Sequence, residues 1–226
     1  MKAMILAAGR GERMRPLTDS IPKPLLEVHG KPIIVWMIER LASAGFVELV
    51  INHAHLGHLM EAALGDGARY GVAIRYSSEG DALETAGGIA KALPLLGSAP
   101  FLVVNGDILC DVDFARLRRH SLGANLAHIV LVPNPAQHPG GDFALAGGLA
   151  RSDGAPKWTF AGIGVYAPAL FRSVASGQKA QLAPLLHAAM DSARVSAEIH
   201  RGQWADVGTP ERLAELKAKW GRSNIS

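Results

Sequence analysis

Residues 2–32 read KAMILAAGRGERMRPLTDSIPKPLLEVHGKP. The apolar run from Ala3 to Ala8 is short and lacks polar alternation, which predicts a buried first strand of a parallel sheet. Gly9-Arg10-Gly11-Glu12-Arg13 follows at once. Glycines directly after a strand let the backbone bend tightly and bring its N–H groups close to an anion, with no Cβ in the way. The amides around Ala8, Gly9, Gly11 and Glu12 are therefore candidate phosphate contacts. Arg13, Arg15 and Lys23 add positive charge, and Pro22 and Pro24 hold Lys23 on a defined, extended path. Glycine turns after strands occur in many folds, so Gly9-Arg10-Gly11 alone leaves an ordinary turn with solvated arginines open.

Outward from this stretch, the composition narrows the class. The chain has 226 residues, enough for one large α/β domain. Hydrophobic residues make up 49%, which supports a substantial core and argues against disorder. A net charge of +3 without any basic run is compatible with a small anionic ligand and excludes the stripe that tracks nucleic acid. Cys110 is the only cysteine, so no intrachain disulfide forms. The N-terminus runs straight into a strand without a signal-peptide pattern, and no apolar run approaches the ~20 residues a membrane span needs. The expectation is a cytoplasmic protein with no membrane contact.

Helices are expected at Ile33 to Ala44 (closed by Gly45), at about Leu56 to Leu64, and from Thr85 to Leu93. Strands are expected at Val47 to Asn52, Val72 to Tyr76 and Phe101 to Val104. The alternation argues for a parallel, doubly wound sheet. Beyond it lie a strand at Ala127 to Val132, a hairpin within Asp142 to Leu149, a strand at Thr159 to Tyr166 and a helix at Gln181 to Met190. A single strand from Glu198 to Asp206 precedes an amphipathic helix from Pro210 to about Trp220, with the basic segment Lys217 to Arg222 as its solvated end. With no repeat or linker, residues 1–226 are read as one domain.

The longer combination G-x-G-x-R-M-x-P-L-T, followed by P-K-P-L, resembles the signature of the sugar-phosphate nucleotidyltransferases. These enzymes join a nucleoside triphosphate to a sugar 1-phosphate and release pyrophosphate. The resemblance implies a Rossmann-like, doubly wound, mixed but mostly parallel sheet. It divides the domain into a nucleotide-binding half (about 1–107) and a sugar-binding half (about 108–226). It also implies that Arg13 sits against the β- and γ-phosphates, and that Lys23 bridges the α-phosphate and the sugar phosphate. Arg15 stays open between the site and a surface ion pair.

Asn105-Gly106-Asp107 follows the buried strand FLVV, where α/β sheets present ligand-binding groups; Asp107 alone could also cap a helix, and Asp206 alone could as easily cap the helix from Pro210. Trp204 to Glu211 resembles the family's W-x-D-[VI]-G-T-P-E segment, which makes Asp107 and Asp206 the implied ligands of a Mg²⁺ ion. Ser78 to Gly88 resembles the base-binding loop, with Glu79 or the backbone at Gly80 accepting from the base and Gly87 and Gly88 letting it lie close. Glu84 departs from the pattern, since glycine is usual there. The sugar-side residues are Asn105, Gly140, Gly141, Asp142 and Gly162. A V-E-K-P segment common among relatives is absent: only GGLARSDGAPKWT stands between those strands. That absence and the short chain resemble the compact uridylyltransferases acting on N-acetylmuramate 1-phosphate in bacterial cell-wall recycling. The implied substrates are UTP and that sugar phosphate, and the missing C-terminal extension favours a monomer. Thymidylyl or guanylyl transfer, and a nucleotide-sugar sensor without turnover, are the rival readings. His53, His55 and His58 lack partners at ligand spacing and are read as the end of a strand entering a helix.

Overall fold

The computed structural model describes residues 1–220; Arg222, at the end of the basic segment, lies outside them. The chain begins with β1 (Ala3–Leu6), whose Ala3 and Ile5 face one side of the sheet while Met4 faces the other. A loop with a 3₁₀ turn at Glu12–Met14 leads to a small hairpin of β2 (Glu27–Val28) and β3 (Lys31–Pro32). Then come α1 (Ile33–Ser43), β4 (Glu48–His53), α2 (Gly57–Leu64), β5 (Ala73–Ser78), α3 (Glu84–Leu96) and β6 (Phe101–Asn105). The second half adds β7 (Ile108–Cys110), α4 (Phe114–Arg119), β8 (Ala127–Val132), β9 (Phe143–Ala146), β10 (Leu149–Arg151) and β11 (Lys157–Tyr166). It ends with α5 (Leu182–Asp191), β12 (Val195–Ile199), β13 (Trp204–Asp206) and α6 (Pro210–Lys219). No helix among the described residues is long and apolar enough to cross a membrane.

One nine-stranded sheet in the order β5-β4-β1-β6-β11-β8-β12-β10-β9 runs through both halves. Its first four strands are parallel, as the alternation predicted. Beyond β6 the sheet is mixed: β11 enters antiparallel between β6 and β8, and only β8 and β12 pair in parallel. β9 and β10 are joined by a short turn at Gly147-Gly148, which makes them antiparallel neighbours; β11 is separated from its neighbours β6 and β8 by long connections. The strand expected over Glu198 to Asp206 is two strands in different sheets, broken around Gly202. β12 stays in the main sheet, while β13 pairs with β7 in a separate ribbon. Both β7 and α4 were missed because three and six residues are too few to show a period.

Helices α1, α2 and α4 cover one face, with Met37, Leu41, Met60 and Leu117 against Ile5, Ile51 and Val104. Helices α3 and α5 cover the other, with Ile89, Leu96, Leu186 and Met190 against Met4, Val103 and Ile129. A third cluster joins Met14, Val28, Trp36, Leu109, Val207, Leu213 and Trp220. It fixes α6 and the β7–β13 ribbon against the loop that follows β1.

Glu198 ties β12 to its neighbours, accepting from the Arg116 guanidinium on α4 and lying 3.4 Å from His128 Nε2 on β8. Burial alone would raise its pKa, but the nearby His128 and the bonds from Arg116 outweigh burial and hold it at about 2, below its ordinary 4.5. A carboxylate depressed in the folded state contributes stability above its unfolded pKa and loses it as pH falls through the folded value. Urea midpoints of the wild type are therefore expected to fall faster between pH 4.5 and 2 than those of Glu198→Gln. Parallel curves would contradict this.

Candidate active site

The strand order reverses at β1: the chain goes first to β4 and β5 on one side, then returns to β6 on the other. Ligands of open α/β sheets bind in the crevice at such a switch point, beyond the carboxyl ends of the strands. Register places Asn52 of β4 and Asn105 of β6 on either side of Leu6, the last residue of β1. The Gly106 N–H donates to the Leu6 carbonyl at 2.8 Å. A Cβ at 106 would stand 2.7 Å from that oxygen, so only glycine lets the two strand ends stay so close.

Beyond Leu6 the Ala7 N–H donates to Asn52 Oδ1 at 2.9 Å, and Asn52 Nδ2 donates to Glu79 Oε1 at 2.6 Å. Glu79 Oε2 accepts the Leu83 N–H at 2.8 Å. This buried chain of bonds fixes the end of β1 against the start of α3. From Ala8 through Gly11, no backbone N–H donates to another group among the described residues. Gly11 has φ +69°, and its missing Cβ leaves room for the Lys23 stem and for Thr18, whose Oγ1 donates to the Gly11 carbonyl at 2.9 Å. The two halves of the opening motif are thus packed on one another. Lys23 Nζ pairs with the Asp107 carboxylate.

These groups line a cavity of about 380 Å³ that runs from Gly9–Gly11 and Lys23 past Asn52 and Glu79 to Glu84 and Asn105. Two neighbouring cavities share Asn105 with it. One, of about 410 Å³, is lined by Arg13, Asp107, Asp142, Gly162, Asp206 and Arg212 among others. The second, of about 330 Å³, lies between β6, β11 and α5. Gly162 has φ +72° and stands at a register shift of β11; a Cβ there would meet Asn105 Nδ2 at 2.5 Å. Its absence lets the Asn105 amide sit where the three cavities meet.

Asp107 and Asp206 are neighbours across the β7–β13 ribbon: Asp206 pairs with Ile108, and the Val207 N–H donates to the Asp107 carbonyl at 2.8 Å. Each carboxylate holds a cation, Lys23 on Asp107 and Arg212 on Asp206, the latter through Nη1 at 2.6 and 2.5 Å. Gln137 Nε2 also donates to Asp206, at 3.1 Å. Among the described residues no group of three or more His, Cys, Asp or Glu could hold a metal ion. A pair of carboxylates suits Mg²⁺, which takes one or two from the protein and the rest from phosphates and water. Asp142 is held by the Phe160 N–H at 2.7 Å and by His138 at 3.0 Å.

Several expectations need correction. Gly87 and Gly88 do not face the cavity. Their missing Cβ atoms make room for the Gln178 carbonyl and for the Glu79–Asn52 bond, respectively. Glu79 lines the cavity, but its oxygens already serve Asn52 and Leu83. Gly80, Gly140 and Gly141 lie in turns outside all three cavities. Glu12 is exposed and pairs with Arg10 at 3.1 Å. Arg10, not Arg13, lines the cavity beside Gly9; Arg13 opens onto the neighbouring one. Arg15 is an exposed ion-pair partner of Asp19. His53 is buried and bonded to Glu61 at 2.8 Å, consistent with a strand end packed on a helix. Asn52, Thr18 and Arg212 were missed. Asn52 closes the strand expected over Val47 to Asn52 and pairs in register with Leu6 as Asn105 does; its place at a strand end was the one available signal.

A nucleotidyl transferase family model matches residues 2–141. The chain belongs to the nucleotidyl transferase family. It is 55% identical over 228 residues to the N-acetylmuramate alpha-1-phosphate uridylyltransferase of Neisseria meningitidis serogroup B, across 98% of this chain and 99% of that protein. It is 42% identical over 125 residues to the UTP–glucose-1-phosphate uridylyltransferase of Synechocystis, there covering 50% of this chain and 32% of the relative. In structure it superposes on a putative glucose-1-phosphate thymidylyltransferase from Bacillus anthracis with a TM-score of 0.84. That match covers 96% of this chain and 94% of the other at 21% identity, a likeness of fold.

Within this nucleotidyl transferase, Glu84 carries φ +61°, a left-handed backbone that favours glycine, at the position where the family pattern has one. A side chain there costs about 1–3 kcal/mol, while glycine gives back about 0.5–1 kcal/mol in unfolded-state entropy. Glu84→Gly is thus expected to raise stability by about 1 kcal/mol in chemical denaturation; a loss of stability would contradict the reading.

Proposed function

We propose that this nucleotidyl transferase transfers UMP from UTP to N-acetyl-α-muramate 1-phosphate with Mg²⁺, releasing pyrophosphate. The observation that carries the transfer reading is the run of free N–H groups from Ala8 to Gly11 beside the Lys23–Asp107 pair in one cavity. The choice of uridylyl and muramate rests on the Neisseria relative, which matches almost end to end.

In the transfer, an oxygen of the sugar phosphate bonds to the α-phosphorus as the bond to pyrophosphate breaks. Two like-charged reactants must be held in line and their repulsion reduced. The Ala8–Gly11 amides and Arg10 take up the triphosphate. Lys23 leaves Asp107 for the α-phosphate and the incoming sugar phosphate, a compact cation between two anions. Asp107 and Asp206 would hold the Mg²⁺, which when bound supplies charge neutralisation on the phosphate oxygens. Arg13, at the mouth of that carboxylate cavity, faces the departing pyrophosphate. Asn105, where the cavities meet, orients the sugar phosphate, and Asp142 presents a fixed carboxylate to sugar hydroxyls. The base lies toward Ala82, Glu84 and Thr85, over the Asn52–Glu79 bond.

Pyrophosphate release from UTP across a panel of sugar 1-phosphates tests this directly. Turnover is expected with N-acetylmuramate 1-phosphate and not with glucose 1-phosphate. Lys23→Ala and Asp107→Ala are each expected to lower it by more than about a hundredfold, with the fold retained by circular dichroism. Full turnover in both variants would refute the site, and turnover only with another sugar would refute the substrate.

A further inference from the structure

The cavity of about 330 Å³ differs from the other two in its chemistry. Its inner wall is apolar, formed by Val103, Phe143, Leu182 and Leu186, and Asn105 and Asp142 stand at its polar rim. Glu84, Thr85 and Gln181 add polar atoms on the side toward α3 and α5, and Tyr166, the last residue of β11 with an exposure of 1%, also lines it. The Tyr166 hydroxyl makes no hydrogen bond among the described residues and is open to the cavity rather than sealed in the core. The ring packs edge-on against Phe171 at 5.9 Å and leans back along the strand over Gly164. A Cβ at 164 would stand 2.6 Å from the hydroxyl oxygen, so the missing side chain is what lets the hydroxyl reach toward Gly162 and the rim. Burial pushes the phenol pKa up, which leaves a neutral O–H donor.

A buried tyrosine hydroxyl normally finds a partner, because leaving it unpaired destabilises the fold. Here the protein supplies none, and the hydroxyl borders a cavity that a ligand would fill. The lining favours an occupant that is apolar where it meets the leucines and offers a polar atom to the Tyr166 hydroxyl. A bare sugar hydroxyl would leave the apolar walls unfilled. An acyl group meets both demands, its methyl against Leu182 and Leu186 and its carbonyl oxygen accepting from Tyr166.

We propose that Tyr166 is a specificity residue that selects N-acylated sugar 1-phosphates by donating to the acyl carbonyl. The proposal rests on the transfer reading above and adds the feature of the sugar that the enzyme senses. In wild type, Tyr166→Phe and Gly164→Ala, kcat and KM would be measured for N-acetylmuramate 1-phosphate and for its de-N-acetylated counterpart. UTP affinity by calorimetry and Tm would be measured alongside.

Tyr166→Phe is expected to raise KM for the acetylated substrate about tenfold or more, the worth of one buried hydrogen bond. UTP affinity and Tm should hold, since no hydrogen bond of the free protein is removed. Gly164→Ala, which pushes the ring out of the slot, should move the preference the same way. A hydroxyl with a merely structural role would lower Tm and leave the preference intact, and that result would overturn the proposal. So would an equal loss on both substrates. Wild-type preference for the acetylated compound, kept by both variants, sinks this inference alone. A wild type that favours the de-acetylated compound sinks the substrate reading with it.

Discussion

Strand β6 runs beside β1 until Asn105 lies level with Leu6, and the Gly106 N–H then closes onto the Leu6 carbonyl. Parallel neighbours held this tightly must part immediately afterwards, because their connections leave in different directions. One chain turns into the glycine loop and the other into Asp107 and β7. The crevice between them is a consequence of that contact. β7 goes on to pair with β13, which brings Asp206 beside Asp107, and the cluster of Met14, Leu109, Val207 and Trp220 locks this ribbon to the glycine loop's far end. Four distant parts of the chain therefore meet at one strand junction.

The junction is charged but neutralised pair by pair. Lys23 covers Asp107 and Arg212 covers Asp206, both pairs partly buried. Two unit charges about 4 Å apart near a protein surface interact with roughly 4 kcal/mol, before the cost of desolvation. Separating such a pair is favourable only when something of comparable charge replaces each partner. A triphosphate with a divalent cation does so on both sides at once, whereas a neutral ligand would not. The resting pairs thus hold the carboxylates in place and discriminate against ligands of low charge. The Asn52–Glu79 bonds do the opposite work in the same crevice, making a rigid wall whose polar atoms are already satisfied.

Much of the first half was legible in the sequence because parallel strands are short apolar runs separated by amphipathic helices, and both periods survive in the residues. The same strands announced the site, since Gly9-Arg10-Gly11 and Asn105-Gly106-Asp107 are polar breaks at apolar ends. The second half was less legible. β7 and β13 take their partners from across the chain, so no local pattern marks them, and a run from Glu198 to Asp206 that looks continuous is divided between two sheets. The base loop misled for a different reason. Gly87 and Gly88 need to be glycine, but the atoms they make room for belong to Gln178, Asn52 and Glu79. A glycine signals close approach without saying what approaches. Glu84 gave the converse signal, a departure from the pattern that the backbone absorbs at φ +61° without changing course.

A crystal structure with a non-hydrolysable UTP analogue and Mg²⁺ would test the central claim most directly. The account predicts the triphosphate on the Ala8–Gly11 amides and Lys23 turned from Asp107 onto the α-phosphate. The cation should lie between Asp107 and Asp206. A nucleotide bound elsewhere, or one bound in this crevice with the Lys23–Asp107 pair intact, would contradict it.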